Sequence, residues 1–429
     1  MLVAVTVVIL LAALSVGIPV AFSLAIAGAA GLYMFGGGQL LLGILSTAPA
    51  SAISTYEFLT IPMFLLMAEF MIASRISSSL FFAFARWTSW FPGGLGIATA
   101  LTGAAFGAIS GSSTAAAATL SSSSIPAMTE EGYDRSFASG IVSIAGTLAM
   151  LIPPSVAIIF YGLLTGTSVA KLLVAGIVPG LLVTFVIILT IWLLIWRNPS
   201  LAPTKRHYTW KERFNSLSVA GPFLGLFILV TGLIYLGIAT PVEASALGAL
   251  GAFTFTILVG QMTWATFKRA LLSTVLTSSM IGLIVISAQI FGFFITITQV
   301  TQNLVGFVAA YDLQPYMVMI FLVVLYLVLG CFLDQLSILI LTVPVVFPVV
   351  LSLGYDPVWF GIVIILLAEV GMVTPPIGLN VYVVARTTNQ PVESVFAGVW
   401  PHVAGHLLLI ILMLVFPQIV LWLPENMAR

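Results

Sequence analysis

The sequence predicts an all-α, polytopic membrane protein built as two inverted-topology repeats, each with about five transmembrane spans and one re-entrant hairpin. Three observations predict it: an apolar composition, a duplication at fixed offset, and basic residues confined to one side. Hydrophobic residues make up 61% of the 429 and charged residues 6%, with a mean hydropathy of +1.22. About a quarter of a soluble domain is charged, so this chain must have membrane lipid as its solvent. Net charge is zero, which leaves no nucleic-acid footprint. The single cysteine, Cys331, excludes an internal disulfide and any multi-cysteine metal site. Met1-Leu2-Val3 carries no basic flank, so no cleaved secretory signal is expected.

The duplication has an offset of 222 residues. Gly132-Tyr133-Asp134 returns as Gly354-Tyr355-Asp356, and Ile152-Pro153-Pro154 as Thr374-Pro375-Pro376. Ala175-Gly176 and Pro179 return as Ala397-Gly398 and Pro401, and Pro19-Val20 and Ser23 as Pro241-Val242 and Ser245. The first repeat therefore covers 1–197, with spans near 2–17, 19–35, 58–74, 136–165 and 172–196 and a hairpin at 93–127. The second covers 219–429, with spans near 219–239, 241–261, 270–297, 357–388 and 396–423 and a hairpin at 316–350. Segment 36–57 receives no assignment. A polar, basic linker, 198–218, joins the copies.

Charge selects this layout. Arg197, Lys205, Arg206, Lys211 and Arg213 crowd the linker, which places it in the cytoplasm. Both termini then fall outside. Eleven of the thirteen basic residues lie on the inner side, with Lys171 and Arg429 as the exceptions. An odd number of spans per copy inverts the second copy relative to the first. Trp87, Trp90, Trp192, Trp196 and Trp359 fall near expected interfaces, as an aromatic belt would.

Four interruptions carry the chemistry. Ser110-Gly111-Ser112-Ser113 reverses the first hairpin; without a reversal, these small residues would simply allow close helix packing. Leu151-Ile152-Pro153-Pro154-Ser155 breaks span 136–165, because two prolines remove two amide donors. Free backbone at membrane depth survives only inside protein or around a cavity. Its carbonyls suit a cation and its amides an anion. The second hairpin turns at Gly330-Cys331-Phe332-Leu333-Asp334-Gln335-Leu336-Ser337. The second break is Gly371-Met372-Val373-Thr374-Pro375-Pro376-Ile377-Gly378, followed by Asn380. An intramembrane carboxylate is a functional candidate; Asp334 could ligate sodium or bond the tip backbone. Glu369 could relay a proton or pair with a hydroxyl. Glu69 and Glu243 read as interhelical ties, and His402 and His406 as packing residues. Duplication with matched breaks is the sequence mark of a secondary transporter.

These motifs resemble the large membrane subunit of TRAP (tripartite ATP-independent periplasmic) transporters, the DctM-like family. The resemblance rests on Phe106-Gly107-Ala108-Ile109-Ser110-Gly111-Ser112-Ser113, Pro126-Ala127-Met128, Gly132-Tyr133-Asp134, Leu151-Ile152-Pro153-Pro154-Ser155, Ala175-Gly176-Ile177-Val178-Pro179-Gly180, Gly354-Tyr355-Asp356-Pro357 and Thr374-Pro375-Pro376-Ile377-Gly378. Together they cover nearly the whole chain. The resemblance implies an elevator-type, sodium-coupled importer of small organic anions in a bacterial inner membrane. It also implies a periplasmic substrate-binding protein and a small four-helix membrane subunit. That subunit is expected as a separate chain, since the first repeat starts at residue 1.

On this reading about two sodium ions are expected, each between a tip and the break that follows it. The first would use Ser110, Gly111, Ser112, Gly146 and Pro153, and the second Gly330, Asp334, Gly371 and Thr374. The substrate would lie between the tips, held by Ser113, Ser155, Gln335 and Asn380. No nucleotide-binding loop is present. Two other classes compete with this one, an intramembrane enzyme using Ser110 or Asp334 and an ion channel using the tips as a filter. Proton coupling through Glu369 or Asp334 is the alternative within transporters. The substrate itself is not legible: dicarboxylates, sugar acids, keto acids and sulfonates all fit.

Overall fold

A computed structural model describes residues 1–74, 76–202 and 208–427. Among these residues the regular elements are all helices. The chain opens with α1 (Leu2–Ser15), α2 (Val20–Ile53), α3 (Thr60–Ala73) and α4 (Ile76–Thr88). Two short-linked pairs follow, α5 (Gly94–Ser110) with α6 (Ser113–Glu130) and α7 (Arg135–Thr147) with α8 (Val156–Thr165). Then come α9 (Val169–Ala175) and α10 (Ile177–Arg197). Beyond the linker lie α11 (Trp210–Tyr235), α12 (Pro241–Leu258), α13 (Trp264–Ile297) and α14 (Val300–Ala310). Two more pairs are α15 (Pro315–Phe332) with α16 (Gln335–Ser352) and α17 (Pro357–Gly371) with α18 (Leu379–Thr388). The chain closes with α19 (Val392–Val415) and α20 (Gln418–Glu425). Among the described residues, 8 helical stretches are long and apolar enough to cross a membrane, and 9 if bent α11 is one span. The chain is a multi-pass membrane protein.

Local chemistry sets many of these ends. Gly132 (φ 81) and Gly354 (φ 83) turn the chain after α6 and α16, a conformation that glycine adopts at little cost. The aspartates that follow cap the next helices. Asp134 accepts from Phe137 N at 2.8 Å, and Asp356 accepts from Val358 N and Trp359 N at 2.7 and 2.9 Å. Both copies of the Gly-Tyr-Asp motif thus do one job, ending a helix and starting another. Thr209 with Glu212 and Thr240 with Glu243 form capping boxes on α11 and α12.

Several expectations need correction. The linker, expected over 198–218, is helical in its second half, because the Thr209 box starts α11 at Trp210, inside the polar stretch. Lys205, Arg206 and His207, with Arg75 and Arg429, lie outside the described residues. The unassigned segment 36–57 is largely helix: α2 continues to Ile53 through a kink at Gly36–Gly37. The span expected from 270 starts at Trp264, capped by Thr263, which accepts from Thr266 N at 3.1 Å. Helices α4 and α14 were not foreseen.

The helices gather into two groups. One surrounds the crossing of α2 and α13, where a Cβ on Gly28 would lie 2.9 Å from Phe291 Cα; α1, α3, α11 and α12 pack around it. The other contains α5–α10 and α15–α20. The two unforeseen helices touch both groups, α4 through α11 and α5, and α14 through α13 and α16. Within the second group, α7 and α19 meet without side chains between them. A Cβ on Gly398 would fall 1.9 Å from Ser136 O, and the Ser136 hydroxyl donates to Ser394 O.

That contact makes a stability prediction. Gly398→Ala should cost about 1–3 kcal/mol through overpacking and lower the thermal midpoint of the purified protein. Gly225→Ala on α11, which meets no atom within 4 Å, should not lower it, since alanine favours helix by about 0.8–1 kcal/mol. Equal midpoints for the two variants would show that α7 and α19 are not so closely packed.

Candidate functional site

Each interruption sets a helix C-terminus beside a helix N-terminus. At the first tip, α5 ends at Gly111 (φ 55), where a Cβ would lie 2.8 Å from the Val156 side chain. The tip therefore seats against the start of α8. Ser112 caps α6, accepting from Ala115 N at 3.4 Å, and Ser110 Oγ donates to Ser112 O at 3.4 Å. In the first break, Ser155 caps α8, accepting from Ile158 N at 3.3 Å, while its hydroxyl donates to Met150 O. Residues 151–160 are all buried, Pro153 included. Three glycines let the hairpin lie flat on α7 and the break. A Cβ on Gly103, Gly107 or Gly111 would meet Ala145 O, Ala149 Cα or Val156 within 2.6–2.8 Å. Gly146 serves packing too, since its Cβ would fall 2.9 Å from Ala117 Cβ.

The second tip differs in charge. Asp334 caps α16, accepting from Ser337 N at 3.2 Å and from the Ser337 hydroxyl. Asp334 is exposed at the tip. Gly330 and Gly371 lie where α15 and α17 cross; a Cβ on Gly371 would be 2.4 Å from Gly330 Cα. Gly378 N donates to Cys331 O at 3.4 Å, which ties the second tip to the second break. Thr374 Oγ1 is turned back to Val370 O at 2.6 Å. Both Pro-Pro bonds, Pro153–Pro154 and Pro375–Pro376, are cis.

Of the four residues expected between the tips, two meet. Ser113 and Asn380 are fully buried and bond each other, with Ser113 Oγ donating to Asn380 Oδ1 at 2.9 Å or accepting from Nδ2 at 2.6 Å. They join the first hairpin to the second break. The converse contact, α16 against α8, joins the second hairpin to the first broken helix. Gln335 is also fully buried; its Nε2 donates to Ile365 O at 3.1 Å and its Oε1 has no partner. Ser155 is occupied within its own break.

A cavity of about 770 Å³ lies elsewhere, bounded by Ser51, Thr55, Glu57, Thr167, Gln289 and Thr296 among others. None of the expected site residues lines it. Its one signal in the sequence was the group of Ser51, Thr55 and Glu57 in segment 36–57, which periodicity left unassigned. Glu69 accepts from the Ser273 hydroxyl across α3 and α13, an interhelical tie as expected, whereas Glu243 serves its own capping box. Glu369 is fully buried with both carboxyl oxygens unpartnered. His402 and His406 are fully buried on α19, and His402 O lies 2.8 Å from His406 Nδ1.

The sequence matches, over residues 7–419, the family described as tripartite ATP-independent periplasmic transporter, DctM component. The chain belongs to this family. This DctM-family chain is 32% identical to the C4-dicarboxylate TRAP transporter large permease of Rhodobacter capsulatus, across 97% of each chain. It is 33% identical to that of Pseudomonas aeruginosa, over 86% of each. The ectoine TRAP transporter large permease of Halomonas elongata is 30% identical, again across 97% of each. In fold it is similar to the YdaH transporter of Alcanivorax borkumensis, with a TM-score of 0.66 over 90% of both chains at 15% identity. Relatives named as transporter permeases rule out the enzyme reading of Ser110 and Asp334.

The Ser113–Asn380 bond can be weighed by a double-mutant cycle. Ser113→Ala, Asn380→Ala and the pair together should show a coupling of about 0.6 kcal/mol, and at most about 1.7, as for interhelical bonds in membranes. Unfolding in mixed micelles reads it. Additive single effects would mean that the two hairpin–break assemblies are not joined through this pair.

Proposed function

We propose that this TRAP large permease imports a small organic anion, carboxylate or sulfonate, by symport with about two sodium ions in a bacterial inner membrane. A periplasmic binding protein delivers the anion, and a small four-helix membrane subunit completes the complex. The observation that carries this reading is the convergence of tips and breaks. The C-termini of α5, α7, α15 and α17 bring carbonyl ends, and the N-termini of α6, α8, α16 and α18 bring amide ends. Carbonyl ends favour a cation and amide ends an anion. No lysine or arginine occurs in either tip or break, so hydroxyls, amides and the ions themselves must hold the anion.

The printed substrates of relatives support a permissive class and no single member. They include C4-dicarboxylates, ectoine, sialic acid for the Vibrio cholerae protein, and isethionate for that of Oleidesulfovibrio alaskensis. An elevator stroke fits the two helix groups, with the hairpins and broken helices moving as one body against the α2–α13 group. Element starts 222 residues apart, such as Arg135 of α7 and Pro357 of α17, support the inverted repeat. Periplasmic termini complete the proposal.

The test is uptake by liposomes holding this subunit, its small partner and the binding protein. A sodium gradient should drive uptake, and an equal proton gradient alone should not; the reverse result would move the chain to proton coupling. Within that assay, Asp334→Asn separates charge from capping, since asparagine caps as well as aspartate whereas alanine costs about 0.5–2 kcal/mol. Asp334→Asn should raise the sodium concentration for half-maximal uptake at unchanged thermal midpoint. An unchanged sodium response would leave Asp334 as a helix cap alone.

A further inference from the structure

The junction of α4 and α11 carries a basic and aromatic cluster that the transport reading does not use. The Arg213 guanidinium lies 5.0 Å from the Trp210 ring and 5.9 Å from the Trp90 ring. Its Nε is buried and has no hydrogen-bond partner. Trp87 Nε1 donates to Arg213 O at 3.1 Å and Trp87 stacks edge-on against Phe214, with centroids 5.8 Å apart. The α4 end is therefore fixed to the first turn of α11. Around this fixed cation four aromatic side chains stand exposed: Trp90, Phe91, Trp210 and Phe214.

Charge at the junction is mainly positive. Arg86 on α4 and Lys211 and Arg213 on α11 are the basic groups of these two elements, apart from residues outside the described set. The acid between them, Glu212, is engaged by Thr209 N and Oγ1 at 2.7 and 2.8 Å and lies within electrostatic reach of Arg86. Exposed tryptophans in a multi-pass protein sit at headgroup level. An arginine held between rings there presents a preset cation to whatever anion that level contains. Phosphates of anionic lipids are such anions, and basic residues near the surface attract them by about 1 kcal/mol each.

We propose that the α4–α11 junction is a binding site for one anionic phospholipid, its phosphate held by Arg213, with Arg86 and Lys211 adding positive potential around it, and its acyl chains beside Phe91, Trp90 and Phe214. Charge complementarity favours this occupant over an apolar protein helix, which would offer the ring-held Arg213 no counter-charge. Because α4 packs on α5 and α6 as well as on α11, a lipid seated here bears on the contact between the two helix groups.

Native mass spectrometry of the purified full chain tests this, after exchange into phosphatidylglycerol or phosphatidylcholine. One phosphatidylglycerol should survive activation energies that strip phosphatidylcholine, and Arg213→Gln should reduce its retention several-fold. Lys268→Gln, an exposed charge on α13, should leave retention unchanged. Should Arg213→Gln fail to fold, Arg86→Gln with Lys211→Gln leaves the ring sandwich intact and should lower retention alike. Competition by free phosphate would mean an ordinary anion site and not a lipid site. Equal retention of both lipids, equal retention by the Arg213 and Lys268 variants, or displacement of the lipid by the small membrane subunit would each overturn the assignment.

Discussion

Backbone that leaves a helix inside a membrane must find its partners in protein, and this structure depends on that constraint. An unmet amide or carbonyl costs several kcal/mol in hydrocarbon. Four interruptions, two at hairpin tips and two at Pro-Pro breaks, therefore cannot exist singly. Serine or aspartate side chains cap three of the four new helix starts, α6, α8 and α16; at the fourth, Asn380 N reaches back across the break to Met372 O at 3.1 Å. Each tip is pressed to a break, through Gly111 with Val156 and through Gly378 with Cys331. Cross-bonds such as Ser113 to Asn380 then close the set. Small residues are a geometric requirement here, since any larger side chain on the glycines of α5 would separate tip from break.

The parts legible in the sequence were those whose chemistry is local. Two consecutive prolines end a helix in any context, so both breaks fall where expected, between Met150 and Val156 and between Gly371 and Leu379. The hairpin turns at Ser110–Ser113 and Leu333–Asp334 were legible for the same reason. Long-range facts were not. The repeat placed Ser113 near Asn380 and Gly330 near Gly371, but did not show that the first pair bond each other directly or that the second lie backbone to backbone. Asp334 was conspicuous because its surroundings are apolar, yet its exposure at the tip is a tertiary fact.

Other features were missed because their signals contradict the usual expectation. Segment 36–57 contains glycines that disfavour helix, and α2 absorbs them in a kink held by its crossing with α13. Helix α4 carries polar residues beside Leu80 and Phe81, both fully buried, so its mean hydropathy hides its apolar face. The polar stretch after Arg197 was assigned only as a linker, although Thr209 and Glu212 spell a capping box. The cavity wall was legible only through the polar residues of segment 36–57, because it draws on five separated parts of the chain.

Helix α13 runs for 34 residues without a break, about 51 Å at the usual rise. The hydrocarbon layer of a bilayer is only about 30 Å thick. A rod of that length must lean steeply or protrude, and hydrophobic mismatch is relieved by such leaning. Pinned to α2 at Gly28, α13 becomes one limb of an oblique strut. Its slope is set by that crossing and by the helices packed around it, so the length α13 has beyond the bilayer is carried by the whole α2–α13 group and not by the hairpins.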